Sequence, residues 1–340
     1  MWHNIIVLIA TLFVVSLTHW VYRWRNPKCN GKLPPGSMGW PLLGETLQFF
    51  APNRTWDTPP FIRDRMKRYG SIFRTSIVGM KVIVSTDSNL NYKIFQQEGL
   101  FQSWYPNSMT KVFGEHNLST LQGYLHKYTK NMVLNLVGYE TLKNMLSEVE
   151  SAATTTIQRW ETSQEIVELK AGTANLVFGL TAKKLISYDL QNSSENLREN
   201  FDAFMEVLIS VPIAIPGTSY RKCVQGSKKA MKMLKNMLEE RRTNPNKSNC
   251  DYFDYVLEEL KKDDTILTEE IALDLMFLLL FASYETTSTA MLVAVKLLTD
   301  NPQALKELTD EHEKIIKNRE NPDSGLTWEE YKSMKFTFQV

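Results

Sequence analysis

The sequence predicts a mainly α-helical protein with a small β-sheet, preceded by an N-terminal transmembrane helix. An apolar run at residues 5–22 indicates the transmembrane helix, and two β-branched runs within residues 72–86 indicate the sheet. Helical patterning dominates from Asn89 onward. The chain has 340 residues, of which 43% are hydrophobic, so it can fill a sizeable globular core.

Residues 1–24 are predicted to form a retained membrane anchor. The run at 5–22 contains no Asp, Glu, Lys or Arg, and at about 1.5 Å per residue its length is near the lower limit for crossing a bilayer. The alternative is a cleaved signal peptide, but no Lys or Arg precedes the run and no small-residue cleavage motif follows it. Arg23, Arg25 and Lys28 come next, so the positive-inside rule predicts a cytosolic location for the rest of the chain.

Charge and cysteine content argue against several classes of function. The 39 Lys and Arg residues nearly balance the 38 Asp and Glu residues, and a net charge of +1 gives no basic field that would favour nucleic acid as a partner. Cys29, Cys223 and Cys250 are odd in number and lack C-x-x-C spacing. The sequence therefore predicts neither a disulfide framework nor a zinc site.

Residues 25–44 are predicted to be a basic hinge rich in proline and glycine. Its second part, KLPPGSMGWPLLG, combines prolines that fix φ with glycines that permit sharp turns, which is typical of a stiff, bent connector. Further along, IFRTSIVGMKVIVST at residues 72–86 predicts a β-hairpin that turns at Gly79-Met80.

One long helix is predicted from Thr268, a suitable N-cap, to about Asp300, where Asn301-Pro302 ends it. About thirty residues at 1.5 Å each give a length of ~45 Å, and a helix so long and so apolar is expected to run through the protein interior. A polar cluster around Glu285 interrupts its apolar pattern and should therefore be buried. A buried carboxylate needs a reason, and both a satisfied core network and a working site remain open.

The cluster has a spacing that suits proton transfer. Ala282, Glu285, Thr286 and Thr289 follow one another at i, i+3, i+4 and i+7, so they share one helix face. The Thr286 hydroxyl can donate to the carbonyl of Ala282 and loosen the helix there. A hydroxyl beside a carboxylate in a mid-helix groove could deliver protons to a bound species.

The segment FASYETTS, residues 281–288, resembles the central-helix signature of the cytochrome P-450 haem-thiolate monooxygenases. Ala282, Glu285, Thr286 and Thr287 match that signature, whereas Ser283 stands where the family usually has glycine. The anchor, the LPPGSMGWPLLGE hinge and the hairpin precede it in the family's order. The resemblance covers the whole chain and is closest to plant microsomal members that act on sterols and triterpenoids, including members near brassinosteroid metabolism.

The resemblance implies a cytochrome P-450 fold, with residues 45–340 as an incomplete catalytic domain. It implies that Glu285 and Thr286 are catalytic and relay protons. The segment HKYTKNMVLNLVG places His126 and Lys130 where the family usually has a Trp-x-x-x-Arg motif that contacts the haem propionates. For His126 a partly exposed helix histidine is the alternative. The residues implied to contact the cofactor are His126, Lys130, Ala282, Ser283 and Thr286.

By the same resemblance, the segment at residues 103–113 and an apolar, proline-containing loop at 207–217 would line the path of an apolar substrate. Plain packing of these aromatic side chains is the alternative. The residues implied to line the substrate are Trp104, Phe113, Ile209, Ile213 and Phe281.

The implied cofactor is haem, with electrons from NADPH delivered by a cytochrome P-450 reductase. The implied substrate is an apolar terpenoid or sterol, and the implied location is the endoplasmic reticulum membrane, crossed once, with the catalytic part in the cytosol.

The family's haem-ligating cysteine and its Glu-x-x-Arg motif are not found in the sequence. None of the three cysteines stands in a Phe-x-x-Gly-x-x-x-Cys-x-Gly pattern. We therefore expect the 340 residues to be a C-terminally truncated monooxygenase that is inactive alone. The alternative is a cofactor-free, membrane-anchored protein that binds lipids or other partners.

Overall fold

The computed structural model describes residues 2–53, 57–97, 99–136, 138–163, 166–189, 197–198, 201, 215–244, 251–321 and 324–340. The described residues form two compact units, one within residues 1–102 and the other within residues 103–340. Helices make up about half of the described first unit and most of the described second unit, and the described part contains one two-stranded antiparallel sheet. The predicted mainly α fold with a small sheet is confirmed.

The first unit contains four helices and the hairpin. Its elements are α1 (Trp2–Arg25), α2 (Thr46–Phe49), α3 (Pro60–Tyr69), β1 (Ile72–Ile77), β2 (Met80–Ser85) and α4 (Ser88–Gln96). The hairpin pairs Ile72 with Ser85 and Ile77 with Met80. Its turn is therefore Val78-Gly79, one residue earlier than the predicted Gly79-Met80. Both turn residues have positive φ, as a tight hairpin turn requires, and glycine meets that requirement without strain.

The last part of the predicted hinge packs against β1. Gly36 bridges to Arg74 and Gly44 bridges to Ile77, so residues 36–44 lie along the strand. A Cβ at Gly44, whose φ is +64°, would lie 2.2 Å from the carbonyl oxygen of Ser76. This close approach explains why glycine ends the PLLG segment. The hinge boundaries at 25 and 44 stay a prediction.

A buried carboxylate joins this segment to α3 and β1. The Glu45 side chain, 8% exposed, accepts from Arg65 Nε at 2.9 Å and from the Thr75 hydroxyl at 2.6 Å. Arg65 Nη2 lies 2.8 Å from the other carboxylate oxygen, and its guanidinium stacks on the Phe61 ring at 3.5 Å. Burial raises the pKa of Glu45, but the Arg65 and Thr75 contacts outweigh burial, so the net pKa is lowered.

The second unit consists of helices around one long central helix. They are α5 (Asn107–Phe113), α6 (Gly123–Leu136), α7 (Tyr139–Ser163), α8 (Leu169–Ile186), α9 (Ser219–Thr243), α10 (Tyr252–Leu260), α11 (Glu269–Asp300), α12 (Pro302–Lys317) and α13 (Trp328–Ser333), followed by a 3₁₀ turn at Thr337–Gln339. Helices α5, α8, α9 and α10 pack against α11. Their apolar faces form the core of this unit.

The central helix α11 has the predicted bounds. The Thr268 side chain accepts from the backbone N–H of Ile271 and caps the helix, while Glu269 and Glu270 occupy the first turn. The helix continues without a break for 32 residues, and Pro302 begins the next helix. Nearly every residue from Ile271 to Phe281 is buried or half-buried, whereas the last fifteen residues are mostly exposed or half-buried. The prediction of an interior helix is therefore right for its first half only.

Two described helices, α1 and α11, are long and apolar enough to cross a bilayer by length and composition. The mean hydropathy over the most apolar 18 residues is 2.2 for α1 and 1.4 for α11. No described residue of α1 is buried, while α11 provides core residues of the second unit. Helix α1 is therefore the candidate membrane anchor.

Candidate functional site

Glu285 lies at the middle of α11, at the end of its buried half. Its side chain is 8% exposed, and its neighbours Tyr284 and Ser288 are also buried. Lys170 Nζ, from the first turn of α8, lies 2.9 Å from Glu285 Oε1. The Lys170 side chain is itself 41% exposed, so this ion pair joins a buried carboxylate to a partly solvated cation. The carboxylate is therefore paired with one cation from another helix, while its buried Oε1 accepts no hydrogen bond from the described residues.

Thr286 and Thr287 follow Glu285 directly and are exposed. The Thr286 hydroxyl donates to the carbonyl oxygen of Ala282 at 2.7 Å, as the sequence predicts. The Ser283 hydroxyl donates to Leu280 in the same way, at 3.1 Å. The expectation that the whole cluster is buried is thus wrong for the threonines. Helix α8 covers the Glu285 side of α11, and no described element covers the side that carries Thr286.

The arrangement places a carboxylate and a hydroxyl on consecutive residues, each held by a different partner. Lys170 holds the carboxylate toward α8, and the Ala282 carbonyl holds the hydroxyl against the helix backbone. A hydroxyl that donates to a carbonyl keeps its lone pairs available to accept a second hydrogen bond. Thr286 can therefore accept a hydrogen bond while it stays in place, but it can pass a proton onward only when its own O–H leaves the Ala282 carbonyl. Glu285 can reach it only after it turns from Lys170.

Aromatic side chains pack beside this turn. Phe281 lies against Phe113 with ring centroids 5.1 Å apart, and Phe178 meets Tyr284 edge-on at 5.3 Å. Phe113 and Phe281, predicted to line the substrate, are both buried in this cluster. The structure thus brings them together with each other and with the Glu285 turn.

The other predicted substrate-lining residues lie elsewhere. Trp104 is exposed and lines a cavity of about 440 Å³ between the segment before α5 and the segment before α6. Polar groups from Asn107, Lys111 and Glu115 share the lining with it. Neither Phe113 nor Phe281 is among the lining residues. Ile209 and Ile213 lie outside the described residues.

Sequence reasoning missed a buried carboxylate in the second turn of α11. Asp274 Oδ2 accepts from the backbone N–H of His116 at 3.0 Å. A Cβ on Gly114, whose φ is +90°, would lie 2.1 Å from this carboxylate, so only glycine allows the approach. Burial raises the pKa of Asp274. The available signal was a single acidic residue within the apolar run at 271–282, and its carboxylate fixes the loop after α5 on α11.

His126 and Lys130 lie one turn apart on α6, as predicted, with His126 half-buried and Lys130 exposed. Within the described ranges, neither side chain makes a hydrogen bond or an ion pair. The neighbouring Tyr128 donates to Glu259 of α10, and this contact fixes α6 on α10. The structure shows no contact between these two residues and the Glu285 turn.

The described residues fit a haem group in part. His126 and Lys130 have no partner among the described residues. Their hydrogen-bonding and cationic groups have the chemistry that binds propionates. The described cysteines do not fit a thiolate ligand: Cys29 donates to the carbonyl oxygen of Gly31, and burial raises the pKa of Cys223 to about 12, which keeps it a neutral thiol. Cys250 lies outside the described residues. Within them, no group of three or more His, Cys, Asp or Glu side chains could hold a metal ion.

Comparison with known proteins identifies the family. The family model described as Cytochrome P450 matches residues 34–340. Cytochrome P450 87A3 of Oryza sativa subsp. japonica is 54% identical over 324 residues, which cover 94% of this chain and 63% of that protein. Cucurbitadienol 11-hydroxylase of Siraitia grosvenorii is 38% identical over 343 residues, which cover 100% of this chain and 72% of that protein. Plant hydroxylases named for triterpenoids and sterols recur among further relatives.

The fold agrees with a solved structure. The retinoic acid bound cyanobacterial CYP120A1 superimposes with a TM-score of 0.76 at 24% identity, over 90% of this chain and 67% of that chain. The chain thus spans about two thirds of the length of the proteins that it matches. The family match over 34–340, the 54% identity to the rice protein and the shared fold lead to one conclusion: this chain belongs to the cytochrome P450 family.

Proposed function

We propose that the protein is a haem monooxygenase that inserts one oxygen atom from O2 into a C–H bond of a triterpenoid or sterol. The observation that carries this proposal is the Cytochrome P450 match over residues 34–340. The substrate class rests on relatives whose names include triterpenoid and sterol hydroxylases. Brassinosteroid-type sterols fall within the proposed class.

Within this proposal, bound haem supplies the redox chemistry that activates oxygen. His126 and Lys130 would hold its propionates, and Ala282, Ser283 and Thr286 would border it. The thiolate that the iron needs has no counterpart among the described cysteines.

The proposed roles of the two central residues follow from their contacts. Glu285 would first turn from Lys170 and take up a proton from solvent, and would then pass that proton to the Thr286 hydroxyl oxygen. The hydroxyl's own proton would leave its Ala282 acceptor and move to the bound species, so that Thr286 ends each transfer as a neutral hydroxyl. Burial of Phe113 and Phe281 beside this turn would keep water from the reacting carbon.

The partners follow from the same proposal. Helix α1 would anchor the protein in the endoplasmic reticulum membrane with the catalytic part in the cytosol, and Arg23, Arg25 and Lys28 support this orientation. A membrane-bound reductase would transfer electrons from NADPH.

The first experiment expresses the chain, and separately the chain extended to the length of its rice relative with that relative's C-terminal sequence, in yeast microsomes with a reductase. We expect the extended chain to give a thiolate-type band in the reduced-CO difference spectrum and to hydroxylate a triterpenoid or sterol detected by mass spectrometry. An extended chain that shows the band and leaves every such substrate unchanged contradicts the substrate class. An extended chain without the band contradicts the proposed function.

The second experiment tests the relay in the extended protein. Thr286→Ala should lower the amount of product formed per NADPH consumed by about tenfold or more. The expected size follows because general acid–base groups typically contribute about two or more orders of magnitude in rate. Thr299→Ala is the matched control, since Thr299 is an exposed threonine of the same helix, outside the cluster, whose hydroxyl likewise donates to a carbonyl four residues earlier, that of Val295. Equal coupling in the two variants would remove Thr286 from the mechanism.

A second function is favoured by the cysteines. Since neither described cysteine fits a thiolate ligand, the 340 residues alone could form a cofactor-free, membrane-anchored protein that binds lipids or other partners. The unextended chain decides between the two: a stable, monodisperse protein without a haem band supports this function, and a thiolate-type band excludes it.

A further inference from the structure

One face of helix α9 carries positive charge alone. The helix packs apolar side chains, among them Cys223, Leu234 and Leu238, into the core of the second unit. At 3.6 residues per turn, its exposed cations fall together on the opposite face. They are Arg221, Lys222, Lys228, Lys229, Lys232 and Lys235. These six residues are called the basic face below, and no Asp or Glu occurs anywhere in residues 219–238.

The basic face has no counter-charge within the part of the chain that the structure describes. Arg241 and Arg242, in the last turn of the same helix, are paired with Asp251 and Glu269. No cation of the basic face makes such a pair with a described residue. Lys232 lies four residues after Lys228 and three before Lys235, and like charges at these spacings repel on a helix. An anionic partner would relieve this repulsion.

The excess of positive charge is local to this helix. The basic face holds six of the 39 Lys and Arg residues and none of the 38 Asp and Glu residues, so the rest of the chain has five more anions than cations. A negative surface that could match the basic face is therefore to be sought on the chain itself.

Such a negative surface lies at the start of α11. Burial raises the pKa of Asp274, and the charges of Glu115 and Glu270 raise it further, so these two carboxylates lie near it. Asp263 and Asp264 occupy the turn that leads into α11. The exposed carboxylates Glu115, Asp263, Asp264 and Glu270 are called the acidic corner below.

The acidic corner keeps its negative charge because the nearby lysines are already paired. Lys261 lies 2.7 Å from a Glu258 oxygen, and Lys262 lies 2.5 Å from a Glu259 oxygen. The four carboxylates of the acidic corner make no ion pair with a residue in the described ranges. The second unit thus carries two unpaired surfaces of opposite sign.

The two surfaces are fixed side by side. The Ser227 hydroxyl donates to the Val112 carbonyl at 2.6 Å, which holds the middle of α9 on α5, three residues before Glu115. Arg242 Nη1 lies 2.7 Å from Glu269 Oε2, which holds the end of α9 on the start of α11. The acidic corner therefore flanks the C-terminal half of α9, and both surfaces belong to the second unit.

This arrangement selects a second copy of the chain as the partner. A two-fold axis places the same patch of two copies face to face, so every contact occurs twice. A positive stripe ~21 Å long, at 1.5 Å per residue from Arg221 to Lys235, beside a negative corner is complementary to itself under such an axis. Lipid is disfavoured because no exposed residue of α9, a helix described throughout, is a large apolar one.

We propose that two copies of the chain associate through these surfaces, with the basic face of each copy against the acidic corner of the other. Each contact is an exposed ion pair and is weak by itself, so the association is reversible and sensitive to salt. Two copies held in one bilayer meet at a high effective concentration, which favours a weak contact. The inference does not depend on the proposed oxidation chemistry, because it uses no residue of the Glu285 turn.

The test uses the full chain with Cys250→Ser, reconstituted in vesicles of phosphatidylcholine. Donor or acceptor dye is attached to the exposed Cys29, and energy transfer between the two kinds of copy reports their association. The basic-face variant combines Lys228→Glu, Lys229→Glu and Lys232→Glu. The acidic-corner variant combines Glu115→Lys, Asp263→Lys and Asp264→Lys. The matched control, with the same change in net charge as the basic-face variant, combines Lys143→Glu, Lys306→Glu and Lys314→Glu, which replace exposed lysines of the same unit.

We expect each of the two variants alone to lower energy transfer several-fold, and a mixture of the two to restore it, because opposite charges then face each other at both contacts. The control should stay close to the unmodified chain. Raising salt from about 0.1 M to about 1 M shortens the screening length from about 10 Å to about 3 Å and should lower energy transfer several-fold. A mixture that does not restore energy transfer, or a control that lowers it equally, overturns the proposal.

A second measurement locates the contact without any charge reversal. Isotopically light and heavy copies are mixed in the same vesicles and treated with a carbodiimide, which joins a lysine to a carboxylate that it touches. We expect peptides that join residues 228–235 of one copy to residues 263–270 of the other, identified by mass spectrometry. Links confined to single copies overturn the proposal. Association that requires added phosphatidylserine also overturns it and assigns the basic face to lipid headgroups.

Discussion

The two units each bury a glutamate to the same extent, and they satisfy it differently. Glu45 and Glu285 are both 8% exposed. Glu45 meets two nitrogens of a buried arginine and one hydroxyl, all fixed by the hairpin and α3. Glu285 meets one lysine, half in solvent, at the end of another helix. Arginine with a fixed hydroxyl suits a permanent structural contact, whereas a single flexible lysine suits a carboxylate that changes partner.

The largest expected effect comes from breaking the structural pair. Arg65→Ala leaves Glu45 buried and without its cation, and removing one partner of a buried pair costs about 3–5 kcal/mol of unfolding free energy. Urea denaturation of the detergent-solubilised chain, followed by circular dichroism, measures it. Arg63→Ala is the control, since the Arg63 side chain is partly solvated, pairs only with exposed Asp64 at 3.8 Å, and should change stability by less than ~0.5 kcal/mol. Equal effects would show that the Glu45 contacts are not structural.

Acid should weaken the same pair. The pKa of Glu45 in the folded state lies below its ordinary value of 4.5, so the ionised carboxylate stabilises the fold at higher pH, and this stability is lost as pH falls through the lowered pKa. The melting temperature of the wild type should drop more steeply below pH 4.5 than that of Glu45→Gln. Parallel curves would contradict the assignment.

The Glu285 contact should contribute far less to stability. In a cycle of Lys170→Met and Glu285→Gln the coupling free energy should be about 1 kcal/mol or less, because Lys170 is partly solvated and solvent screens the pair. A double-mutant cycle in urea measures the coupling. A coupling as large as that of Arg65 with Glu45 would show that both glutamates are structural and would remove the contrast between them.

The smallest effect concerns Leu42, whose φ of +68° lies in the left-handed region. Leu42→Gly relieves the left-handed backbone, worth about 1–2 kcal/mol, but glycine loses about 0.5–1 kcal/mol in chain entropy. We expect a net stabilisation of ~0.5 kcal/mol in detergent, measured against Leu43→Gly, which lacks the relief and should destabilise. Destabilisation by both would show that Leu42 is not strained in solution.

The hairpin and the central helix could be predicted because the residues that define each of them are close together in the sequence. The hairpin follows from β-branched residues around a glycine, and α11 follows from Thr268 at its start and Pro302 after its end. The turn was placed one residue late because strand pairing, which involves Ile77 and Met80 across the turn, decides it.

The contacts of the site could not be predicted in the same way. Lys170 and Glu285 lie on different helices, and neither has a local feature that indicates the other. The exposure of Thr286 depends on which helices cover α11, so periodicity alone placed it wrongly in the interior. The resemblance supplied roles for His126, Lys130 and Thr286 that remain predictions, whereas the back-bond of Thr286 to Ala282 follows from residue type and is confirmed.

The buried thiol of Cys223 has a practical consequence. It lies on α9 with no exposed surface, and its raised pKa keeps it protonated at neutral pH. An alkylating reagent therefore reaches it only while α9 separates from the core, whereas exposed Cys29 reacts from the folded state. With Cys250 replaced by serine, the ratio of the two alkylation rates gives the equilibrium constant for local opening of the second unit.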